Sequence, residues 1–246
     1  MKRLLLVFLM SLLLVSLGQT AWSADDGANK SYESPVVVSV GVTSWYPAYT
    51  TTYTQPYKAT TSEFMLGPRV SFSYKDFFLG ASWITAASGI NWSTGNSFLD
   101  QNEKQSALNL ILGYMFNQYV GLFGGYLYET GSYKYNNSLI SGIHLLSNTL
   151  QGPGLGVTGK LPIGDNFFLY LNGSWMWATF TWDGFPSYTR NVLTIDGGLV
   201  LRFAESAAVS LGWKHQMNFL YSYSSVYLGS ESFTGPTLSL TWSFGS

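Results

Sequence analysis

Residues 235–244 read Gly235-Pro236-Thr237-Leu238-Ser239-Leu240-Thr241-Trp242-Ser243-Phe244. In an extended chain successive side chains point to opposite faces, so Leu238, Leu240, Trp242 and Phe244 share one face. Thr237, Ser239, Thr241 and Ser243 share the other. A helix would need apolar residues three and four apart, and this stretch has them strictly two apart. The segment is therefore a strand with one oily and one polar side.

The same alternation recurs upstream. Val36, Val38, Val40 and Val42 alternate with Val37, Ser39, Gly41 and Thr43. Leu108, Leu110, Leu112, Tyr114 and Phe116 alternate with Asn109, Ile111, Gly113 and Met115. Leu193, Ile195, Leu199, Leu201 and Phe203 oppose Thr194, Asp196, Gly198, Val200 and Arg202. This pattern predicts about ten strands, near 35–46, 64–75, 77–86, 106–116, 120–129, 150–161, 167–178, 191–203, 207–217 and 233–244. The connections alternate in length. Short ones carry Lys75-Asp76, Asn117-Gln118, Ile163-Gly164-Asp165-Asn166 and Ala204-Glu205-Ser206, and long ones are expected at 47–63, 87–105, 130–149, 179–190 and 218–232.

Composition decides what surrounds these strands. Only 10% of the residues are charged, against about 25% in an ordinary soluble domain. Aromatics make up 17%. Beyond the N-terminal region no segment is apolar for long enough to form a membrane helix. Hydrocarbon offers backbone N–H and C=O groups no partners, so a membrane chain without helices must close its strands into a barrel. The expected fold is all-β: an antiparallel up-and-down transmembrane barrel of about ten strands, with short periplasmic turns and long extracellular loops. An even strand number puts both chain ends in the periplasm. A soluble barrel enclosing a ligand is the structural alternative, but it requires polar outward faces.

The N-terminus agrees. Lys2 and Arg3 precede an apolar run from Leu4 to Leu17, and Ala21-Trp22-Ser23-Ala24 follows. A basic start, an apolar centre and small residues at a cleavage point describe a secretory signal peptide, residues 1–23. The run is shorter than the roughly 20 residues of a spanning helix. Residues 24–34 are then a short periplasmic segment and 35–246 the barrel. The chain has no cysteine, which excludes a lipid-modified cysteine and leaves stability to something other than disulfides. With Lys2 and Arg3 removed, the 12 basic residues fall to ten against 13 acidic, and no basic run suggests nucleic acid.

Aromatic residues collect near the strand ends, as membrane-interface girdles require. Tyr74, Phe77, Phe116, Tyr119, Phe167, Phe203 and Phe244 lie by the short turns. Trp45, Tyr46, Trp83, Tyr126, Tyr128, Trp175, Trp177 and Trp213 lie toward the long loops. Gly67-Pro68, Gly152-Pro153 and Gly235-Pro236 each open a strand at its loop end, where a missing N–H costs little. Convergence of hairpins under the same constraints accounts for this echo better than duplication does.

Across its mature length the chain resembles bacterial outer-membrane β-barrel proteins. Their shared signature is a last strand of alternating apolar residues ending in an aromatic, matched here by Leu238, Leu240, Trp242 and Phe244, although Gly245 and Ser246 follow. The resemblance implies a Gram-negative outer-membrane location after export. It also implies contact with outer-membrane lipids and recognition by the barrel-assembly machinery through the strand ending at Phe244. A monomer is the favoured state.

Catalytic constellations known on such barrels do not match. The outer-membrane phospholipase and lipid A deacylase families place a His and a Ser two residues apart, but His144 and His215 are followed two residues on by Leu146 and Met217. Omptin proteases pair an Asp with a His at the same spacing, and neither histidine has one. No metal-ligand cluster or phosphate-cradling loop is visible, and no cofactor is expected. Charges on strands should face the lumen, because an Arg or Lys facing lipid at midplane costs about 2–4 kcal/mol. Alternation directs Arg69, Glu129, Lys160, Asp196, Arg202 and Lys214 inward. Arg69, Glu129 and Lys214 are expected near the outer mouth, and Lys160, Asp196 and Arg202 lower down. Ten strands lie near the size whose interior side chains fill, since about eight fill and about sixteen leave a channel. The long-loop tyrosines, Tyr49, Tyr53, Tyr57, Tyr133, Tyr135, Tyr221, Tyr223 and Tyr227, are expected to pack over the rim, with surface binding as the alternative. The expected role is non-catalytic: structural, surface-binding or narrow-conduit. A small-solute channel, anion-preferring if open, and an envelope enzyme acting on lipid A or peptides are the alternatives.

Overall fold

The structure, a computed structural model, describes residues 36–53, 60–87, 90–92, 101–136, 143–184, 186–221 and 227–245. The signal peptide, the segment at 24–34, Tyr57 and Tyr223 lie outside the described residues, as do the side chains of Tyr53, Tyr133, Tyr135, His144, Tyr221 and Tyr227. The strands are β1 (Val36–Trp45), β2 (Ala48–Tyr53), β3 (Thr60–Ser62), β4 (Met65–Tyr74), β5 (Phe77–Ala86), β6 (Ile90–Trp92) and β7 (Gln101–Met115). Then follow β8 (Val120–Asn136), β9 (Ile143–Pro162), β10 (Phe167–Trp182), β11 (Tyr188–Ala204), β12 (Ala207–Tyr221) and β13 (Tyr227–Gly245).

Ten of these form the wall, each antiparallel to the next in the order β1, β4, β5, β7, β8, β9, β10, β11, β12, β13. The pairing of β13 with β1, from Val37 opposite Gly245 to Trp45 opposite Thr237, closes the ring. Every wall strand thus has a neighbour on both sides, which is what burial in hydrocarbon demands. The outward face is oily throughout: Val70, Phe72, Leu79, Leu112, Leu155, Leu171, Leu211 and Leu238 are all exposed. Leu211 lies midway along the membrane part of β12 and is 63% exposed. Leu211→Arg should cost about 2–4 kcal/mol of folding free energy. Urea titration of refolding into lipid vesicles will measure it.

Strands continue into regions expected to be long loops. β8, β9, β10, β11, β12 and β13 all run past the alternating segments, and β7 begins at Gln101 rather than near residue 106. β2 pairs with the outer half of β13, β3 with β2, and β6 with the start of β7. The reason is physical. Above the bilayer the outward face of a strand meets water instead of hydrocarbon, so hydrogen bonding persists where the outward series of apolar residues stops. Gln101-Asn102-Glu103-Lys104-Gln105 pairs fully with β8 with no apolar residue in it.

Trp45 is a second departure. It was expected in the outer girdle, but it points into the lumen and is buried. It follows Thr43 on the inward register of β1, while its neighbour Tyr46 is exposed. Alternation overrides the general preference of tryptophan for interfaces.

The three Gly-Pro pairs share one structural device. In the β4–β5 register Leu66 opposes Thr85 and Arg69 opposes Ser82, so Gly67-Pro68 faces Trp83-Ile84 across an interrupted ladder. Gly152-Pro153 faces Trp177-Ala178 in the same way. Gly235-Pro236 lies opposite Tyr46-Pro47, between the β13–β2 and β13–β1 pairings, and the Tyr46 N–H donates to the Pro236 carbonyl at 3.0 Å. In each case a Cβ on the glycine would strike the backbone carbonyl of the facing aromatic. Proline removes the ladder donor and glycine lets the strands close in. The device that locks two hairpins also locks the closing seam.

Candidate functional site in the lumen

The interior is stratified. In the outer third the inward side chains are almost all buried, including Leu127, Leu150, Met176, Phe180, Arg190, Val192, Gln216, Asn218, Glu231 and Phe233. Nearer the periplasm, inward residues such as Arg69, Thr158, Lys160, Tyr170, Asn172, Thr194, Asp196, Arg202 and Ser210 are only half-buried. They retain surface that water can reach. Other inward residues at these levels are buried: Val37, Ser39, Ser239 and Ser243 along the β1–β13 seam, and Phe168 with Val200 at the periplasmic end.

Two apolar clusters line opposite walls of the closed layer. Trp45, Tyr49, Met65, Ile84, Ala107 and Phe233 form one. Leu127, Leu150, Met176, Ala178, Phe180 and Val192 form the other. Tyr49, the one loop tyrosine whose side chain is described, packs edge-on against Phe233 with ring centroids 4.7 Å apart.

Polar groups occupy the space between. Gln216 on β12 donates from Nε2 to Glu129 Oε1 on β8 at 2.9 Å. Strands β9, β10 and β11 separate these two along the wall, so the bond crosses the lumen. Arg190 donates from Nη1 to Glu231 Oε2 at 2.7 Å and from Nη2 to Glu231 Oε1 at 3.5 Å. Its guanidinium lies 3.8 Å over the Phe180 ring and also donates to the Tyr188 hydroxyl at 3.1 Å. The pair is joined through both terminal nitrogens of the guanidinium, a planar fork geometry that arginine favours. A cavity of about 40 Å³ lies among Glu129, Asn148, Arg190, Gln216, Asn218 and Glu231, room for about three ordered waters.

All six charges singled out from the sequence sit on lumen-facing positions, but their grouping differs from expectation. Glu129 meets Gln216 and lies within electrostatic reach of Lys214. Lys214 rests over the Trp45 ring at 4.1 Å. Arg69, expected at the outer mouth, instead interacts electrostatically with Asp196 and Tyr170. Asp196, expected beside Lys160 and Arg202, accepts from the Tyr170 hydroxyl at 3.3 Å and faces Asn172, Lys214 and Arg69. Thr158 in turn donates to Asn172 Oδ1 at 2.8 Å. Lys160 lies 5.2 Å over the Phe168 ring. Tilt and stagger explain the regrouping: residues equally far from their turns do not lie at the same height across a sheared barrel.

Sequence reasoning passed over Arg190, Glu231, Gln216 and Asn218. Arg190 and Glu231 lie beyond the alternating segments, in the expected loops at 179–190 and 218–232, where alternation gives no sign of them. Extending the inward register of Gln216 by two residues would have found Asn218. His215 points outward beside Thr234. No group of three or more potential metal ligands occurs among the described residues.

A model of the OmpA-like transmembrane domain matches residues 73–190, from the end of β4 to the start of β11. The translocator domain of the autotransporter NalP from Neisseria meningitidis aligns over 88% of this chain and 90% of its own, at 11% identity and a TM-score of 0.50. The beta domain of the Bordetella autotransporter Brka aligns over 85% and 100%, at 9% identity and a TM-score of 0.42. The P. putida toluene transporter TodX aligns over 88% and 91%, at 9% identity and a TM-score of 0.34. At its identity the likeness to the NalP translocator domain is one of fold alone. No curated protein sequence matches the chain. Ten strands in a closed ring, an oily exterior, a polar interior and the matching domain model agree: the chain is a bacterial outer-membrane β-barrel protein.

Proposed function

We propose that this protein is a non-catalytic barrel whose lumen is shut at rest, serving as a structural or surface-presenting element of the outer membrane. The observation that carries the reading is the bond from Gln216 to Glu129 across the barrel, set between two apolar clusters that fill the remaining section. Among the described residues, the space left in this layer is a cavity of about 40 Å³. The non-catalytic part of the proposal is in keeping with His215, which faces outward with its ring nitrogen beside the Thr234 hydroxyl. Export by the signal peptide at 1–23, assembly through β13 and its Phe244, contact with outer-membrane lipids and a monomeric state belong to the same proposal. The strands that rise beyond the oily band present the extracellular surface through which any partner would be met.

The test is electrical. Refolded full-length barrel in a planar bilayer should pass no steady current in potassium chloride. Sustained unitary currents from the unaltered protein would overturn the shut-lumen reading and favour the channel alternative.

A further inference from the structure

We infer that the outward face of β9, β10 and β11 binds a sugar-headed lipid of the outer leaflet. Its sugar would lie on Trp177 and Asn191, and an acyl chain over Gly173 and Gly159. This rests on the proposed outer-membrane location, with the long strand ends outside, and not on the shut lumen.

Asn191 is the first support. It alternates with Arg190 and Val192, which are buried on the lumen side, so it belongs to the outer face. Register sets it between Trp177 on β10 and Phe219 on β12. Its Oδ1 is buried and accepts no hydrogen bond from the described residues. An acceptor in that state costs free energy until a donor reaches it, and here the donor must come from outside the chain.

The rings around it are the second. Trp175 and Phe219 stand on the strands either side of β11, and their ring centroids are 5.5 Å apart, so they meet over it. Trp177, directly beside Asn191, is 51% exposed. The outward cover of Asn191 is therefore made of side chains, which can rotate aside for an incoming hydroxyl. An open indole face beside an acceptor suits a sugar ring, whose C–H groups favour the negative face of the indole while its hydroxyls donate. The outward positions described on β9–β12 include no Lys, Arg, Asp or Glu. Nothing there matches a phosphate, which calls for charged donors.

The wall nearer the membrane centre is the third. Gly159 on β9 and Gly197 on β11 flank the exposed Leu171, and Gly173 follows two residues closer to the outer end. The nearest atom to a Cβ would be 3.6 Å away at Gly159 and 3.8 Å away at Gly173. These outward positions are thus empty, and they form a hollow beside Leu171 and Val157. An acyl chain laid in it gains contacts with the wall on more than one side.

The experiment uses native mass spectrometry of the full-length barrel. It is refolded in phosphatidylcholine vesicles carrying equal minor fractions of digalactosyldiacylglycerol and phosphatidylglycerol, then released in mild detergent. One digalactosyl lipid per barrel is expected to stay bound, in preference to phosphatidylglycerol. Asn191→Leu and Trp177→Leu should each lower its retention about tenfold, the loss of one hydrogen bond or one ring contact. Gly173→Leu fills the hollow and should lower retention as well. Trp83→Leu is the control: Trp83 is equally exposed but lies four strands away along the wall, and its loss should change nothing. Folding of each variant is checked by the heat-dependent shift in gel mobility. Folded Asn191→Leu and Trp177→Leu barrels that keep the lipid as well as the unaltered one overturn the site. An equal loss in Trp83→Leu reveals an unselective aromatic girdle and overturns it too. Comparison of the two lipids needs no variant, and equal retention or a preference for phosphatidylglycerol overturns the sugar. Displacement by excess soluble digalactose overturns the lipid as the source of that sugar. Failure of the unaltered barrel to enter vesicles at all counts instead against the outer-membrane location.

Discussion

Gly67→Ala is expected to prevent stable closure between β4 and β5, at the upper end of the roughly 1–3 kcal/mol of an overpacked interior or beyond it. The added Cβ would land on the Trp83 carbonyl oxygen, with the Ile84 Cα close behind. Both are backbone atoms of a strand held on its other edge by β7, so neither can rotate away as a side-chain end would. Gly152→Ala should behave alike, since its Cβ meets the Trp177 carbonyl and the Ala178 Cα. Gly164→Ala is the control. It lies in a short turn with no atom near the position of the new Cβ, and it should leave stability within a few tenths of a kcal/mol. Urea titration of vesicle-refolded protein, followed by the folded band on unheated gels, will rank the three. Equal stability of Gly67→Ala and Gly164→Ala would show that the strands do not approach as described.

Arg190→Ala should be nearly as damaging, by about 3–5 kcal/mol, because it leaves Glu231 as an uncompensated charge in a buried layer. Arg190 is 6% exposed and Glu231 9%, so water cannot take over solvation of the survivor without opening the barrel mouth. Loss of the guanidinium also uncovers the Phe180 ring on which it lies. Replacing both partners, as Arg190→Met with Glu231→Leu, removes the charge imbalance and should recover most of the loss. The same urea titration closes this double-mutant cycle. Additive losses in the double variant would mean that the two side chains are not coupled.

What could be read in advance divides along the bilayer boundary. Within the membrane the start and end of β5, Phe77–Ala86, coincide with the range expected from alternation. Those of β1 and β4 differ by one residue at each end. There one face meets hydrocarbon and the other meets water and polar side chains, so every second position is constrained. Above the membrane the constraint vanishes and the pattern with it, although β9 runs unbroken from Ile143 to Pro162. The outer ends of β9, β10 and β11 look like loops in the sequence for that reason, and Asn148 and Arg190, which line the closed layer, lie there.

The sequence by itself determined the class of fold and the placement of most turns. Each of these depends on the contrast between neighbouring residues. Only the tertiary structure decided which inward groups meet. Arg69 comes within electrostatic reach of Asp196, and Gln216 donates to Glu129, across strands distant in the chain, because stagger sets the height of each residue in the barrel. Stagger is a property of the closed ring, fixed when β13 pairs with β1. No single strand carries it, so no single strand could reveal it.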